Sequence, residues 1–143
     1  MLIVDSNVVI SCLLRKGIPY KVFLLNFLFE KFKLIAPEFL WVEVEKHKEE
    51  LLKETKLPAE EFEEILEFLR EEIDIIPAVQ FLELLPKAKE ILPTHTKDAL
   101  YLALALKFNS PIFSGDKRLK KQSSVKILSP REILDRLLER TEP

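Results

Sequence analysis

The chain has 143 residues, 48% of them hydrophobic and 32% charged, with Lys+Arg 22 against Asp+Glu 24 and a net charge of -2. That length suits one domain spanning 1–143 with a core of its own and argues against two. The near-neutral balance excludes a polycation, so any nucleic-acid binding must rest on a local basic patch or on metal ions.

The chain opens on an apolar strand, Leu2 to Val4, with no basic region ahead of it, so no signal peptide is expected. Ser6 or Asn7 then caps a predicted helix running towards Leu14. Cys12, the single cysteine, lies inside this apolar segment; that excludes an internal disulfide and fits a buried thiol in a reducing cytoplasm. Pro19 can occupy a first helical turn, and the stretch from Tyr20 to Phe32 is the most apolar of the chain. Lys21, Asn26, Glu30 and Lys31 interrupt it and it falls short of the ~20 residues of a membrane span, so a soluble protein is expected. Phe23, Phe27, Phe29 and Phe32 leave more apolar faces than one domain can cover, which predicts a subunit interface of a homodimer or higher oligomer.

A second strand is predicted at Leu34 to Ala36, with Pro37 opening the helix that carries Trp41, Glu43, His47 and Leu51. Leu57-Pro58 opens the next, whose Phe62, Ile65, Leu66 and Leu69 share one face while Glu60, Glu63, Glu64 and Glu67 are left to solvent. Ile73 to Ile76 reads as a strand, and Ala78 to Leu92 as a helix kinked or divided at Pro86. Asp98 to Leu106 is an almost uniformly apolar helix that must be buried nearly all round. The strand Ile112 to Phe113 ends in the turn Ser114-Gly115-Asp116, whose aspartate can cap a short helix over Lys117 to Lys120. A last strand, Val125 to Leu128, precedes Ser129-Pro130-Arg131-Glu132, a capping box with proline at the first helical position. The final few residues are expected to fray. Strands alternating with helices imply right-handed crossovers and a three-layer α/β/α sandwich around a mainly parallel sheet.

Four acids stand out: Asp5, Glu43, Asp98 and Asp116. Each has an ordinary explanation alone, as a helix cap, a solvated face or a carboxylate at a helix N-terminus. Asp5 and Asp116 nevertheless follow strands, and in open parallel sheets the functional crevice lies beyond the carboxyl ends of the strands. A cluster of like charges persists when a cation neutralises it, and oxygen ligands without Cys or paired His favour Mg²⁺ or Mn²⁺ over zinc. Such an ion can activate water and stabilise a leaving oxygen, as phosphodiester hydrolysis requires. His47, one turn from Glu43, is either a phosphate contact or an exposed helical histidine. Lys117, Arg118, Lys120 and Lys121 form the densest basic run and adjoin Asp116, where they can guide a phosphate backbone or simply be solvated.

Val4-Asp5-Ser6-Asn7-Val8, Trp41-Val42-Glu43-Val44, Asp98 followed by Ala103-Leu104-Ala105, and Ser114-Gly115-Asp116 together resemble the acidic signature of PIN-domain nucleases, over essentially the whole chain. The resemblance implies a five-stranded parallel sheet and metal-dependent ribonuclease activity; with the oxygen-only ligands, the function expected is an Mg²⁺- or Mn²⁺-dependent endoribonuclease in which metal-activated water leaves a 5′-phosphate and a 3′-hydroxyl. It also implies frequent dimers and, as in VapC-type toxins, an antitoxin partner. By the same carry-over Asp5, Glu43, Asp98 and Asp116 hold the metal, with Asn7, Ser6 and Ser114 in support; Lys117, Lys120 and Lys121, from the basic run beside Asp116, are the candidate RNA contacts. Ser6 stands where threonine is common, and Lys97 where related sequences often add an acid. No further carboxylate follows Asp116 at once, so a single ion, or a second arriving with substrate, is expected.

Two competing readings remain. One is a catalytically inactive PIN-like RNA-binding or regulatory module. The other, a phosphoryl-accepting receiver or phosphatase, is weakened by Asn7, which removes the second acid of an Asp-x-Asp motif. The richness in Glu and Lys, with few Cys and Met, follows the trend of heat-adapted proteins.

Overall fold

The computed structural model describes residues 1–93 and 97–139. Its centre is a five-stranded sheet of order β3-β2-β1-β4-β5, every neighbouring pair parallel. The strands are β1 (Leu2–Val4), β2 (Leu34–Pro37), β3 (Ile73–Ile76), β4 (Ile112–Phe113) and β5 (Ile127–Leu128). Leu2 lies opposite Leu34 and Val4 opposite Phe113, so β1 is hydrogen-bonded on both edges. All three residues of β1 are buried, as a strand covered on both faces requires.

Between the strands run α1 (Ser6–Leu14), α2 (Ile18–Phe29), α3 (Phe39–Glu54), α4 (Ala59–Glu72), α5 (Leu85–Ile91) and α6 (Asp98–Phe108), and α7 (Pro130–Glu139) follows β5. The result is the expected α/β/α sandwich with an all-parallel sheet. In α4, Phe62, Ile65, Leu66 and Leu69 are buried while Glu60, Glu63, Glu64 and Glu67 are exposed. Helix α6 buries Ala99 and Tyr101 through Ala105, so its lack of amphipathicity reflects packing all round. Phe23 of α2 reaches the sheet and meets the Phe113 ring at 5.5 Å, and burying a side chain of that size contributes ~1.5–3 kcal/mol.

Several boundaries differ from those read off the sequence. The N-cap position of α1 is Asp5, not Ser6 or Asn7, and the Asp5 side chain makes no capping hydrogen bond. Pro37 closes β2 instead of opening a helix: its residue still pairs with Ile76 at the end of the strand, and α3 begins only at Phe39. Pro86 does not kink a helix, because the span from Ala78 is broken into short 3₁₀ turns at Ala78–Gln80 and Leu82–Leu84, and Pro86 lies in the first turn of α5, where no amide donor is needed. The last strand is shorter than predicted, since Gln122 uses its side chain to bond both the N–H and the C=O of Val125 and holds it in a turn. Helix α2 stops at Phe29, where Glu30 turns left-handed at φ 52° and the Asn26 amide captures the N–H and C=O of Phe32 at 2.8 and 2.9 Å. The Ser129 and Glu132 capping box is present as read, each side chain bonding the other's backbone N–H at 3.1 Å. The expected C-terminal fraying falls on residues 140–143, outside the described residues.

Chain order makes the sheet open on one site. From β1 the chain steps outward to β2 and β3, then returns to the other edge of β1 as β4. The carboxyl ends of β1 and β4 therefore flank the point where the winding reverses, which is where open α/β sheets form crevices.

Candidate active site

Asp5 follows β1 and Ser114 follows β4, so adjacent strands deliver them side by side across that crevice. The Ser114 hydroxyl donates to Asp5 Oδ2 at 2.7 Å and accepts from Asn7 Nδ2 at 3.2 Å and from the Asp116 N–H at 3.0 Å. Asn7 Oδ1 accepts from the Gly115 N–H at 3.2 Å. The start of α1 is thus tied to the turn after β4, and one serine oxygen orients a buried carboxylate and the backbone of Asp116. Of the residues named as supports, Ser114 bonds Asp5 directly, and Asn7 reaches it only through Ser114. Ser6 is buried at the start of α1.

Asp5 is only 4% exposed. Burial raises its pKa from 3.8 to about 6; the Ser114 hydroxyl opposes the rise, and the negative charges of Asp98 and Glu43 add to it. The charges of Glu43 in α3 and Asp98 in α6 therefore reach Asp5 beyond the end of β1. Asp98 stands at the first residue of α6, where the helix dipole favours a carboxylate.

Glu43 has a partner that sequence reasoning missed. Tyr101, 1% exposed on α6, donates its hydroxyl to Glu43 Oε1 at 2.9 Å. Burial above all, then the charges of Glu43 and Asp5, hold this phenol well above its ordinary range, so it remains a donor. The signal was in the sequence: Tyr101 is the one polar-tipped side chain in an otherwise apolar run, three residues after Asp98 and so on the same helix face.

Asp116 caps the 3₁₀ helix Lys117–Lys121, accepting from the Arg118 N–H at 2.9 Å. The Arg118 guanidinium also clasps it, with Nε 3.1 and 3.2 Å from the two carboxylate oxygens and a terminal nitrogen 2.8 Å from Oδ2. The charges of Asp98 and Asp5 reach Arg118 as well, placing Asp116 at the edge of the same negative region.

The donor set suits a hard divalent cation: carboxylate oxygens only, with Asp5 deeply buried and both Asp5 and Glu43 held by neutral hydroxyl donors. Among the described residues, however, no three His, Cys, Asp or Glu side chains stand as a ready cage around one ion. The acids share a field without converging on a point, so an ion there would draw them in or complete its shell with water.

The basic residues divide. Lys117 and Lys120 line a groove that begins at Asp116, whereas Lys121 does not. Lys120 is engaged by Glu132 at 2.7 Å. His47 is partly exposed and faces Glu50 at 3.9 Å. Cys12 is buried, and burial pushes its thiol far above the usual range. Among the described residues no helix is long and apolar enough to cross a membrane.

A family model described as PIN domain matches residues 3–137. A comparison with curated proteins finds no match.

Proposed function

The chain belongs to the PIN-domain family, whose members are generally nucleases, and from that premise we propose that it is a divalent-metal-dependent endoribonuclease. What supports this reading is that Asp5 is buried just beyond the carboxyl end of β1, held by Ser114 from the adjacent strand end, and within reach of the charges of Glu43 in α3 and Asp98 in α6. Asp5, Glu43, Asp98 and Asp116 would hold Mg²⁺ or Mn²⁺. When bound, such an ion would offset the charge of a phosphodiester and make water acidic enough to attack phosphorus, leaving a 5′-phosphate and a 3′-hydroxyl. The protein's own part is positional: Ser114 and Asn7 fix Asp5, Tyr101 fixes Glu43, and the dipole of α6 favours ionised Asp98. Cleavage of a mixed RNA pool in Mg²⁺, Mn²⁺ or chelator, comparing the native chain with Asp98→Asn, tests it. Equal cleavage by the two proteins, or cleavage in chelator, would sink it.

A second reading, a PIN module that binds RNA without cutting it, draws on two observations: the acids form no ready cage, and Arg118 already clasps Asp116. The same assay decides, since a silent module would retain RNA and never shorten it.

The assembly proposed is a homodimer or higher oligomer through α2, on which Leu24, Phe27 and Leu28 are 39%, 50% and 63% exposed. Phe27→Glu should then shift the mass in light scattering towards the monomer. A toxin role with a protein antitoxin and a cytoplasmic location complete the proposal; co-expression with neighbouring reading frames, scored by growth, tests the first. The ion pairs joining α3 to α4, Lys48 with Glu63 and Arg70 with Glu45, support heat adaptation, which predicts a melting temperature above the ~45–65 °C of mesophilic domains.

A further inference from the structure

In the basic run from Lys117 to Lys121, Arg118 is the one arginine, and its side chain is the one that clasps a candidate metal ligand. Lys120 turns away to Glu132. The guanidinium meets both oxygens of Asp116, and the charges of Asp98 and Asp5 reach it as well. Arg118 therefore brings positive charge to three of the four candidate acids.

Its backbone is pinned while its side chain is not. The Arg118 N–H is bonded to Asp116 Oδ1 at 2.9 Å, and the neighbouring Leu119 is only 2% exposed. The Gln122 amide then holds the carbonyls of Leu119 and Val125 at 2.9 and 2.8 Å, which fixes the far end of the 3₁₀ helix. The guanidinium, by contrast, stands in solvent and bonds only Asp116 among the described residues. An exposed ion pair of this kind holds by about fivefold at most, so the side chain can swing while the helix stays in place.

A divalent ion and a guanidinium compete for the same carboxylate oxygens, and their like charges repel. A phosphodiester offers the arginine what it gives up there: two oxygens sharing one negative charge, which the planar fork bonds in the same paired way. A lysine, being a point charge, has no such preference for either partner. We propose that Arg118 exchanges partners as the reactive complex assembles: it neutralises Asp116 while metal is absent and, once metal takes Asp116, holds the non-bridging oxygens of the phosphodiester to be cleaved. The proposal rests on the metal-dependent nuclease reading and adds a coupling to it. Metal and substrate strengthen each other's binding through one side chain, by the same factor in either order.

The test is the affinity for a short labelled RNA, read by fluorescence anisotropy in the cold, once in chelator and once in saturating Ca²⁺. Salt is kept at ~0.15 M to screen charges that are not in contact. Arg118→Ala should weaken binding by about five- to tenfold in Ca²⁺ but by no more than about twofold in chelator, where the native guanidinium is already committed to Asp116. Lys117→Ala removes a neighbouring cation that clasps no candidate acid, and it should lose the same factor in both conditions. Equal losses for Arg118→Ala with and without Ca²⁺ would make it an ordinary phosphate contact and overturn the exchange, as would no loss in either. Calorimetry of Ca²⁺ and Mn²⁺ binding to the native chain separates the two readings. Absence of metal binding sinks the nuclease reading and the exchange with it, whereas metal binding with equal losses removes the exchange alone.

Discussion

Arg118 holds Asp116 by both carboxylate oxygens while Asp5 and Asp98 contribute to the field around its guanidinium. An intramolecular cation therefore stands on one of the four carboxylates proposed to hold metal. The pair is unequal in exposure, 59% for Arg118 and 17% for Asp116, so the arginine can leave towards water at small cost.

Arg118 should accordingly compete with metal. Arg118→Ala is expected to bind Mn²⁺ up to about fivefold more tightly in isothermal titration, the range that an exposed ion pair can supply. Unchanged affinity would mean that Asp116 does not contact the ion.

Asp5 is the acid of the candidate site whose charge weighs most on stability. Its carboxylate is buried, unpaired with any cation among the described ion pairs, and repelled by Asp98 and Glu43. In chelator at pH 7, Asp5→Asn should raise the urea unfolding free energy by about 1–3 kcal/mol. Mg²⁺ should stabilise the native chain and leave the variant unmoved. A variant less stable than the native chain in chelator would show that this charge is not a burden.

Tyr101 serves Glu43 through one hydroxyl, so Tyr101→Phe removes the donor and keeps the ring in the core. Stability should fall by about 1 kcal/mol, the net worth of such a bond, while RNA cleavage falls by roughly tenfold as Glu43 loses its orientation. A kinetic effect no larger than that of a remote core change such as Leu69→Val would refute an orienting role.

Glu132 provides a pH test away from the acids. Its bond from Lys120, followed by that from the Ser129 N–H, lowers its pKa from 4.5 to about 2. A depressed acid stabilises the fold fully above its unfolded pKa and loses that contribution as pH falls through the folded one. Glu132→Gln should therefore cost no more than about 1 kcal/mol at pH 7, because the pair stands in solvent, and the difference from native should shrink between pH 4.5 and 2. Urea midpoints at three pH values check it; a gap that widens in acid would contradict the assignment.

Local patterns located most of the elements. The apolar runs of β1 to β4 and the face pattern of α4 survive into the structure because burial on a sheet or helix face acts directly on residue type. Prolines misled where the sequence offered two places for the same restricted backbone: Pro37 ends a strand and Pro86 begins a helix, and both satisfy a residue without an amide hydrogen. Within the site, Asp5, Asn7 and Ser114 were legible as strand-end polar residues. Tyr101 was not, because a tyrosine in an apolar helix looks the same whether its hydroxyl finds water or a carboxylate, and the groove escaped because its lining comes from distant segments.

Composition and periodicity by themselves determined a parallel α/β chain with acids at its strand ends, since hydrophobic spacing and turn chemistry act over a few residues. Only the tertiary structure decided that Ser114 would bond Asp5 across 109 positions, that Arg118 would turn back onto Asp116, and that Arg15 would line the same groove as Arg131. Electrostatic and hydrogen-bonding energies depend on distances in space, and those distances exist only once the crossovers have wound the sheet.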